Sequence, residues 1–359
     1  MKETMSPKER LLATLAHQPV DRIPVAQPLH TGTIELMKSC GAYWPEVHSN
    51  AELMATLSYE AHRVIGFESV RVPFDINIEA EAMGCELEYH TGRNKGLDIQ
   101  PPVKVPGVTA DGDYSGVKDP DPYKDGRMPV VLQAIKLLKK KVPDTIPVIA
   151  MVVGPFMVAA QLRGVEIFMR EIMRKPAEPL ALIERARKIC VKYAQAMEEA
   201  GADVVVIVDA TASCDLISPK QFDEFAKPFS RTITESLSVP TILHICGKND
   251  LLLTRMAEVA PGISVDSMVD MAYAKQTVGE KTAMFGNINV NGVLLFGEPE
   301  EVKNAVIECI DKGTDNLTTC CGIPLPSITI WGGYSSTRST FGTSPASAVA
   351  PASSQCKRV

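Results

Sequence analysis

The sequence predicts an α/β protein with a (β/α)8 TIM barrel, because apolar runs alternate with segments of helical periodicity and eight such runs occur. Continuous apolar strands separated by helices are typical of a parallel sheet covered by helices. Eight strand and helix units in 359 residues fit a closed barrel. A doubly wound open sheet is the alternative. No G-x-G-x-x-G follows the first strand, which weakens its dinucleotide-binding version.

The elements follow from local patterns along the chain. The first helix begins with Ser6 as N-cap, Pro7 at the first helical position and Glu9 completing a capping box. The clearest helical periodicity covers residues 178–200, where apolar positions share one face. The eight predicted strands are 23–26, 69–74, 146–153, 203–209, 240–246, 262–266, 282–288 and a weak 315–319.

Two regions depart from this alternation. Residues 90–127 are rich in Gly, Pro and Asp, and we interpret them as a long insertion that is either a lid or a solvated excursion. Residues 1–323 would then form a single catalytic domain. Residues 324–359 form an atypical tail, since no acidic residue follows position 315 and 19 of the last 29 residues are Ser, Thr, Gly, Ala or Pro. Such a composition predicts a disordered or foreign extension in place of the last barrel helix.

Composition limits the classes of partner. The net charge is −6 and no basic block occurs, which argues against nucleic acid and anionic membranes as partners. The N-terminus lacks the apolar core of a signal peptide, and the longest apolar runs are too short to span a bilayer. The nine cysteines show no repeating disulfide spacing. A reduced, cytoplasmic protein is the best interpretation, so each cysteine is a packing residue, a metal ligand or a nucleophile.

A candidate metal site comes from the end of the fifth strand, "TILHICG". With a period of two, His244 and Cys246 point to the same face, and imidazole and thiolate are preferred ligands of Zn²⁺. A single H-x-C is more often a packed pair than a metal site. The eighth strand ends in "TTCCGI", which brings Cys320 and Cys321 to the same end of the barrel. One His and two Cys ligands leave one tetrahedral position for a substrate.

Further polar residues lie at strand ends. Asp209 and Asp266 end the fourth and sixth strands and are candidate substrate-binding residues. Each could also orient His244, occupy the fourth zinc position, line the cavity or cap a helix. Arg71 in the second strand could face an anionic substrate or pair with a buried carboxylate. The remaining cysteines are predicted to be packing residues, namely Cys40, Cys85, Cys190, Cys214 and Cys309.

Several segments carry a resemblance to a known family. "SPKERLLATLAHQPVDRIPV", "RVPFDINIEAEAMGCELEY", "GPFMVAAQLRG", "DLISPKQFDEFAKPF", "HICG" and "FGNINV" resemble the uroporphyrinogen decarboxylase superfamily over about residues 4–323. Within it the chain is similar to the methylcobamide:coenzyme M methyltransferases, especially the methanol-pathway type. In that family the late motif reads Pro-Gly-Cys-Gly-Ile, so the resemblance selects Cys321 as the third zinc ligand, and Cys320 replaces a glycine. The family continues with a helix after this motif, whereas no helical pattern follows it in this sequence.

The resemblance implies a reaction and a partner. A thiol bound to Zn²⁺ is deprotonated, and the thiolate of coenzyme M then takes the methyl group of a methylcobamide, which gives methyl-coenzyme M and cob(I)amide. The corrinoid would arrive on a small methylated corrinoid protein. Arg71 could face the sulfonate of coenzyme M or pair with a buried carboxylate. The alternatives are a tetrapyrrole decarboxylase without the metal and a catalytically inactive corrinoid-binding protein. The methanogenic pathway and the oligomeric state stay open at this point.

Overall fold

The computed structural model describes residues 3–29, 31–89, 101–109, 111–313 and 319–320. Seven parallel strands form one sheet in the order β1-β4-β5-β6-β7-β8-β9, so each strand pairs with the next parallel strand of the chain. The strands are β1 Val70–Val72, β2 Glu86–Leu87, β3 Val103–Val105, β4 Val148–Val153, β5 Val204–Val208, β6 Thr241–Ile245, β7 Gly262–Val265, β8 Ala283–Phe285 and β9 Thr319–Cys320. The predicted barrel architecture is confirmed.

Helices lie between successive strands and cover the sheet. They are α1 Pro7–Leu15, α2 Ile34–Cys40, α3 Ala51–Ile65, α4 Ile78–Ala82, α5 Met128–Lys141, α6 Pro155–Arg163, α7 Val165–Arg174, α8 Ala177–Glu199, α9 Pro219–Gln221, α10 Lys227–Glu235, α11 Leu253–Ala257, α12 Met271–Val278 and α13 Pro299–Gly313. Among the helices of the described ranges, none combines the length and the apolar character that crossing a bilayer requires. The long periodic segment predicted at 178–200 is α8.

The first predicted strand differs from the structure. Residues 23–26 do not form a strand, because Pro24 lacks the N–H group that a ladder needs. The segment nevertheless runs beside the start of β1, where the Glu68 N–H group donates to the Val25 carbonyl over 2.9 Å. It therefore occupies the position next to β1 that the first strand of a barrel would fill. Of the predicted eighth strand, residue 319 lies in β9 and 315–318 fall outside the described residues.

The insertion packs against the barrel more closely than a solvated excursion would. β3 pairs antiparallel with β2, so the segment starts as a hairpin before residue 90. Val108 and Val117 are 2% and 4% exposed. Arg163 of α6 donates to the Thr109 carbonyl over 2.7 Å, and Arg185 of α8 donates to the Val117 carbonyl over 2.8 Å. The described part of the insertion is thus held on the flank formed by α6 and α8. The predicted tail, 324–359, lies outside the described residues.

Helix α1 lies at the amino-terminal ends of the strands. Its predicted capping box is present, with the Ser6 hydroxyl accepting from Glu9 N–H and the Glu9 carboxylate accepting from Ser6 N–H. The Lys8 N–H group donates to the Thr145 carbonyl just before β4 over 2.9 Å. The Lys8 ammonium group contacts Asp203 just before β5. Because α1 covers this end, the opposite, carboxyl end of the strands is left for a functional site.

A buried ionic cluster joins α1 to the segment around residue 21 and to the start of β1. The Arg10 guanidinium is fully buried; its Nε lies 2.6 Å from Asp21 Oδ1 and its Nη1 lies 3.3 Å from Glu68 Oε2. Arg22 also contacts Glu68. The hydrogen bond and charge of Arg10 hold the pKa of Asp21 well below its usual range. Buried charges are tolerated where they are paired in this way, so the cluster fixes the chain entry onto the first parallel strand.

Replacing Arg10 with Met should lower the free energy of unfolding by about 3 kcal/mol, since it leaves buried carboxylate charge without its partner. The pKa of Asp21 is lower in the folded protein than in the unfolded chain, where it is about 4. The stabilisation by this ion pair is therefore present above about pH 4 and is lost as the pH falls below that value. The difference between wild type and variant in urea unfolding should therefore shrink below pH 4. Arg231→Met is the control, because Arg231 forms an exposed pair with Glu235 worth at most about 1 kcal/mol. Equal losses for both variants would contradict the assignment.

Candidate active site

The candidate site lies where β6 and β7 end. His244 on β6 is in register with Ser264 on β7. The His244 ring contacts two side chains, with Nε2 3.0 Å from Cys246 Sγ and Nδ1 3.0 Å from Ser264 Oγ. His244 is 5% exposed and Cys246 is half-buried. The prediction that His244 and Cys246 share one face of the strand end is therefore supported by a direct contact.

Burial sets the protonation of this pair. Removal from water lowers the pKa of His244 to about 4, against the opposing charge of Asp266. Burial, assisted by Asp266, raises the pKa of Cys246 to about 12. At neutral pH the metal-free pair is a thiol and a neutral imidazole. The tautomer with its proton on Nδ1 fits both contacts, because the thiol can then donate to Nε2 while the Nδ1–H group donates to Ser264 Oγ.

The loop that follows Cys246 turns sharply at Gly247. This residue has φ +88°, and a Cβ atom there would lie 2.1 Å from Asp215 Oδ2, so only glycine fits. The Gly247 N–H group donates to Asp266 Oδ2 over 3.2 Å. The chain therefore makes a tight turn directly after Cys246. Its cause is the close approach of the loop after β5, a contact that spacing along the chain does not reveal.

Asp266 and Asp209 do not orient His244, contrary to one of the roles predicted for them. Asp266 Oδ1 accepts from Ser267 Oγ over 3.2 Å and from Met268 N–H over 3.1 Å. Its second oxygen holds Gly247, so Asp266 organises the loops beside the site. His244 is oriented by Ser264, and a polar residue within the apolar run "GISV" was the sequence signal for it.

Asp209 follows β5, the other neighbour of β6, and caps the start of helix α6. Its carboxylate accepts from the Met157 N–H group at the start of α6 over 3.0 Å and from Ser230 Oγ over 3.2 Å. Burial raises the pKa of Asp209 to about 7. The capping role that the sequence left open is therefore the observed one. A Cβ on Gly154 would lie 2.2 Å from this carboxylate, which explains the glycine before α6.

Arg71 lies on β1 and its side chain is fully buried. Its Nη2 atom lies 2.6 Å from Met151 Sδ on β4, and burial lowers the pKa of the guanidinium to about 9. The charge of Arg71 acts on His244, whose pKa it lowers further. Arg71 is thus within electrostatic reach of the pair. Its predicted contact with a sulfonate stays a prediction.

The late cysteines fall at the edge of the described chain. Cys320 on β9 is in register with Phe285 on β8, Phe285 pairs with Ser264, and Ser264 pairs with His244. The backbone of Cys320 therefore stands at the same level of the barrel as the candidate pair. Cys321 follows at once but lies outside the described residues. Within the described ranges, no group of three or more His, Cys, Asp or Glu side chains is placed to hold a metal.

The other cysteines are mostly enclosed, as expected of packing residues. Cys85, Cys190 and Cys309 are buried, whereas Cys40 and Cys214 are half-buried. One buried residue beside the site escaped the sequence reasoning: Asn249, whose amide contacts the backbone at Cys246 and the backbone of the loop after β5 at Cys214. A lone asparagine in a loop gives no distinguishing signal, because the same residue is common in exposed turns.

Comparison with known proteins places this chain in a family. The uroporphyrinogen decarboxylase family model matches residues 6–327. Methylcobamide:CoM methyltransferase MtbA from Methanosarcina acetivorans is 39% identical over 322 residues, 89% of this chain and 93% of the relative. Methylcobamide:CoM methyltransferase MtaA from Methanosarcina barkeri is 37% identical over 320 residues, 88% and 92% of the two chains.

A solved structure described as a methyltransferase from Methanosarcina mazei superposes with a TM-score of 0.86 at 34% identity, covering 99% of each chain. The chain belongs to the uroporphyrinogen decarboxylase family, in the branch that contains the methylcobamide:CoM methyltransferases. The resemblance inferred from the sequence motifs is confirmed.

Replacing Ser264 with Ala should deprive the Nδ1–H group of His244 of its buried acceptor. We expect the free energy of unfolding to fall by about 1 to 2 kcal/mol. In the metal-free protein part of the imidazole should shift its proton to Nε2. Urea unfolding and the ¹⁵N chemical shifts of the ring nitrogens measure the two effects. Ser267→Ala is the matched control, because Ser267 bonds Asp266 at the same strand end and does not touch His244. Unchanged ring shifts in Ser264→Ala would show that Ser264 does not set the tautomer.

Proposed function

We propose that this chain transfers a methyl group from a methylcobamide to the thiol of coenzyme M. The observation that carries the proposal is the convergence of His244 Nε2 and Cys246 Sγ at 3.0 Å. This pair lies at the carboxyl end of a parallel strand, where barrel enzymes have their active sites. The relatives named methylcobamide:CoM methyltransferases, at 37–39% identity over most of the chain, support the same reaction.

The residues present fit a zinc ion. His244 offers a neutral nitrogen whose ring is fixed by Ser264 on the other side, the arrangement that metal-binding imidazoles require. Cys246 places its sulfur beside that nitrogen. We propose Cys321 as the third ligand, because β9 brings the chain to this level of the barrel immediately before it. Asp209 and Asp266 are occupied by backbone and hydroxyl donors, which argues against either as a zinc ligand.

The metal and the residues around it would have different roles in the site. When bound there, Zn²⁺ supplies the Lewis acidity that stabilises a substrate thiolate at neutral pH. Cys246, with a pKa raised to about 12, must give up its proton for metal loading, so metal uptake weakens as the pH falls. His244 needs no deprotonation at neutral pH, because burial keeps it neutral. The charge of Arg71, within electrostatic reach of His244, supports a role in attracting the sulfonate of coenzyme M.

Transfer of the methyl group from the corrinoid to the thiolate needs no further reactant. The thiolate sulfur attacks the methyl carbon, the sulfur–carbon bond forms, and the electron pair of the cobalt–carbon bond stays on the corrinoid. We propose a methylated corrinoid protein as the donor, because the carbon must reach the carboxyl end of the barrel from outside. The cytoplasm is the proposed compartment, since a reducing environment keeps the cysteine ligands from forming disulfides.

Replacing Cys246 with Ala should leave the fold intact and reduce the zinc content of the purified protein to near zero, because a thiolate ligand is lost. Methyl transfer from free methylcobalamin to coenzyme M should fall with it. Cys40→Ala is the control, since Cys40 is a half-buried cysteine at the end of α2. Full zinc retention in Cys246→Ala would refute the ligand assignment. If Cys320→Ala loses zinc and Cys321→Ala retains it, the third ligand is Cys320 and not Cys321.

Binding of coenzyme M to the zinc-loaded protein should release about one proton near pH 7, because a free thiol is protonated there and the bound form is a thiolate. Calorimetry in buffers of different ionisation enthalpy gives the number of protons directly. Cys246→Ala should release none. Zero release by the loaded wild type would mean that the thiol stays protonated or binds elsewhere.

A further inference from the structure

We propose that Asn249 is a positioning residue that holds the Cys246 loop in the shape that the metal site requires. The inference deepens the proposed function, on which its metal-dependent part rests. Asn249 is fully buried. It lies three residues after Cys246 and touches none of the reacting atoms, so its effect would pass through the backbone of the loop.

The amide of Asn249 contacts three successive carbonyl oxygens. Its Nδ2 atom lies 3.1 Å from the Ile245 oxygen, 2.6 Å from the Cys246 oxygen and 3.2 Å from the Gly247 oxygen. These residues lie at and beyond the end of β6, where the strand ladder no longer satisfies the backbone. Buried carbonyl groups without a partner are costly. The two amide hydrogens of Asn249 therefore replace the ladder at the point where the cysteine leaves the strand.

The other end of the same amide is anchored in the loop after β5. The Asn249 Oδ1 atom accepts from the Cys214 N–H group over 3.0 Å and from Ser213 Oγ over 3.3 Å. The donor side thus holds the loop after β6 and the acceptor side holds its neighbour. Asparagine supplies both in one short, planar group. Aspartate keeps the acceptor side and loses the donors, and alanine loses both.

The need for this clamp follows from Gly247. A glycine at φ +88° permits the turn after Cys246 but does not enforce it, because glycine has wide conformational freedom. Asp266 holds the Gly247 N–H group and is half-buried. Asn249 holds the carbonyls on both sides of Cys246 from a fully buried position. The 3.0 Å approach of Cys246 Sγ to His244 Nε2 therefore depends on Asn249 more than on the turn itself.

The test compares Asn249→Asp and Asn249→Ala in the full chain loaded with Co²⁺, with Zn²⁺ release measured in parallel. Loss of an outer partner of a ligand typically weakens metal affinity about 10- to 100-fold, so both variants should release metal about 10 to 100 times faster than wild type. The thiolate-to-cobalt absorption band should also change in shape. The control is Asn50→Ala, which removes an N-cap from α3 and should leave metal release within about twofold of wild type. Wild-type release by Asn249→Asp would overturn the proposal, since the donor side would then be dispensable.

A metal-free measurement separates this proposal from that of the zinc site. Hydrogen exchange at the amides of residues 245–248 should be faster in Asn249→Asp than in Asn50→Ala, because only the former frees the loop. If wild type takes up no metal but the exchange rates of the two variants still differ, the zinc-site proposal is wrong and the role of Asn249 in holding the loop is supported. Exchange rates equal to wild type in both variants would overturn the clamp whether or not metal binds. If Asn249→Ala does not fold, Asn249→Asp, which is isosteric, carries both measurements.

Discussion

The parallel ladder from β4 to β6 is the constraint on which the site depends. Every residue of β4, β5 and β6 is buried, and a slip of β6 by one residue would turn His244 to the opposite face of the sheet. The ladder places Val208 beside His244 and His244 beside Ser264. The register of the strands therefore decides which polar side chains meet at the carboxyl end, independently of the loops.

Beyond the ladder, short polar side chains tie each loop to the next. Asn249 joins the loops after β5 and β6, and Asp266 joins those after β6 and β7. Asn287 continues the series, since its Nδ2 atom lies 3.1 Å from the Asp266 carbonyl and 2.6 Å from the Val269 carbonyl. Each contact satisfies a backbone group that the sheet leaves unpaired. The site thus rests on a continuous set of side-chain-to-backbone bonds instead of on any single loop.

The carboxyl end also carries buried groups that disfavour folding at neutral pH. Burial raises the pKa of both Asp209 and Glu79 to about 7. Because the pKa of each carboxyl is higher in the folded protein than in the unfolded chain, the folded protein loses stability as the pH rises from about 4 through 7. Backbone N–H groups at Met157 and Val153 offset part of this loss. Asp209 and Glu79 both lie near the end of the barrel that carries the candidate site, whereas Arg10 at the entry to β1 is paired with Asp21 and Glu68.

The sequence by itself determined the alternation of strands and helices, the capping box at Ser6 and the shared face of His244 and Cys246, because periodicity and short spacing are local properties. It misjudged residues 23–26, where Pro24 prevents a ladder that the apolar pattern suggests. Only the tertiary structure decided that Ser264 orients His244, that Asp209 caps α6, and that Asn249 clamps the Cys246 loop. These partners come from different strands and loops, and the register of a parallel sheet sets their distances, which spacing along the chain cannot encode.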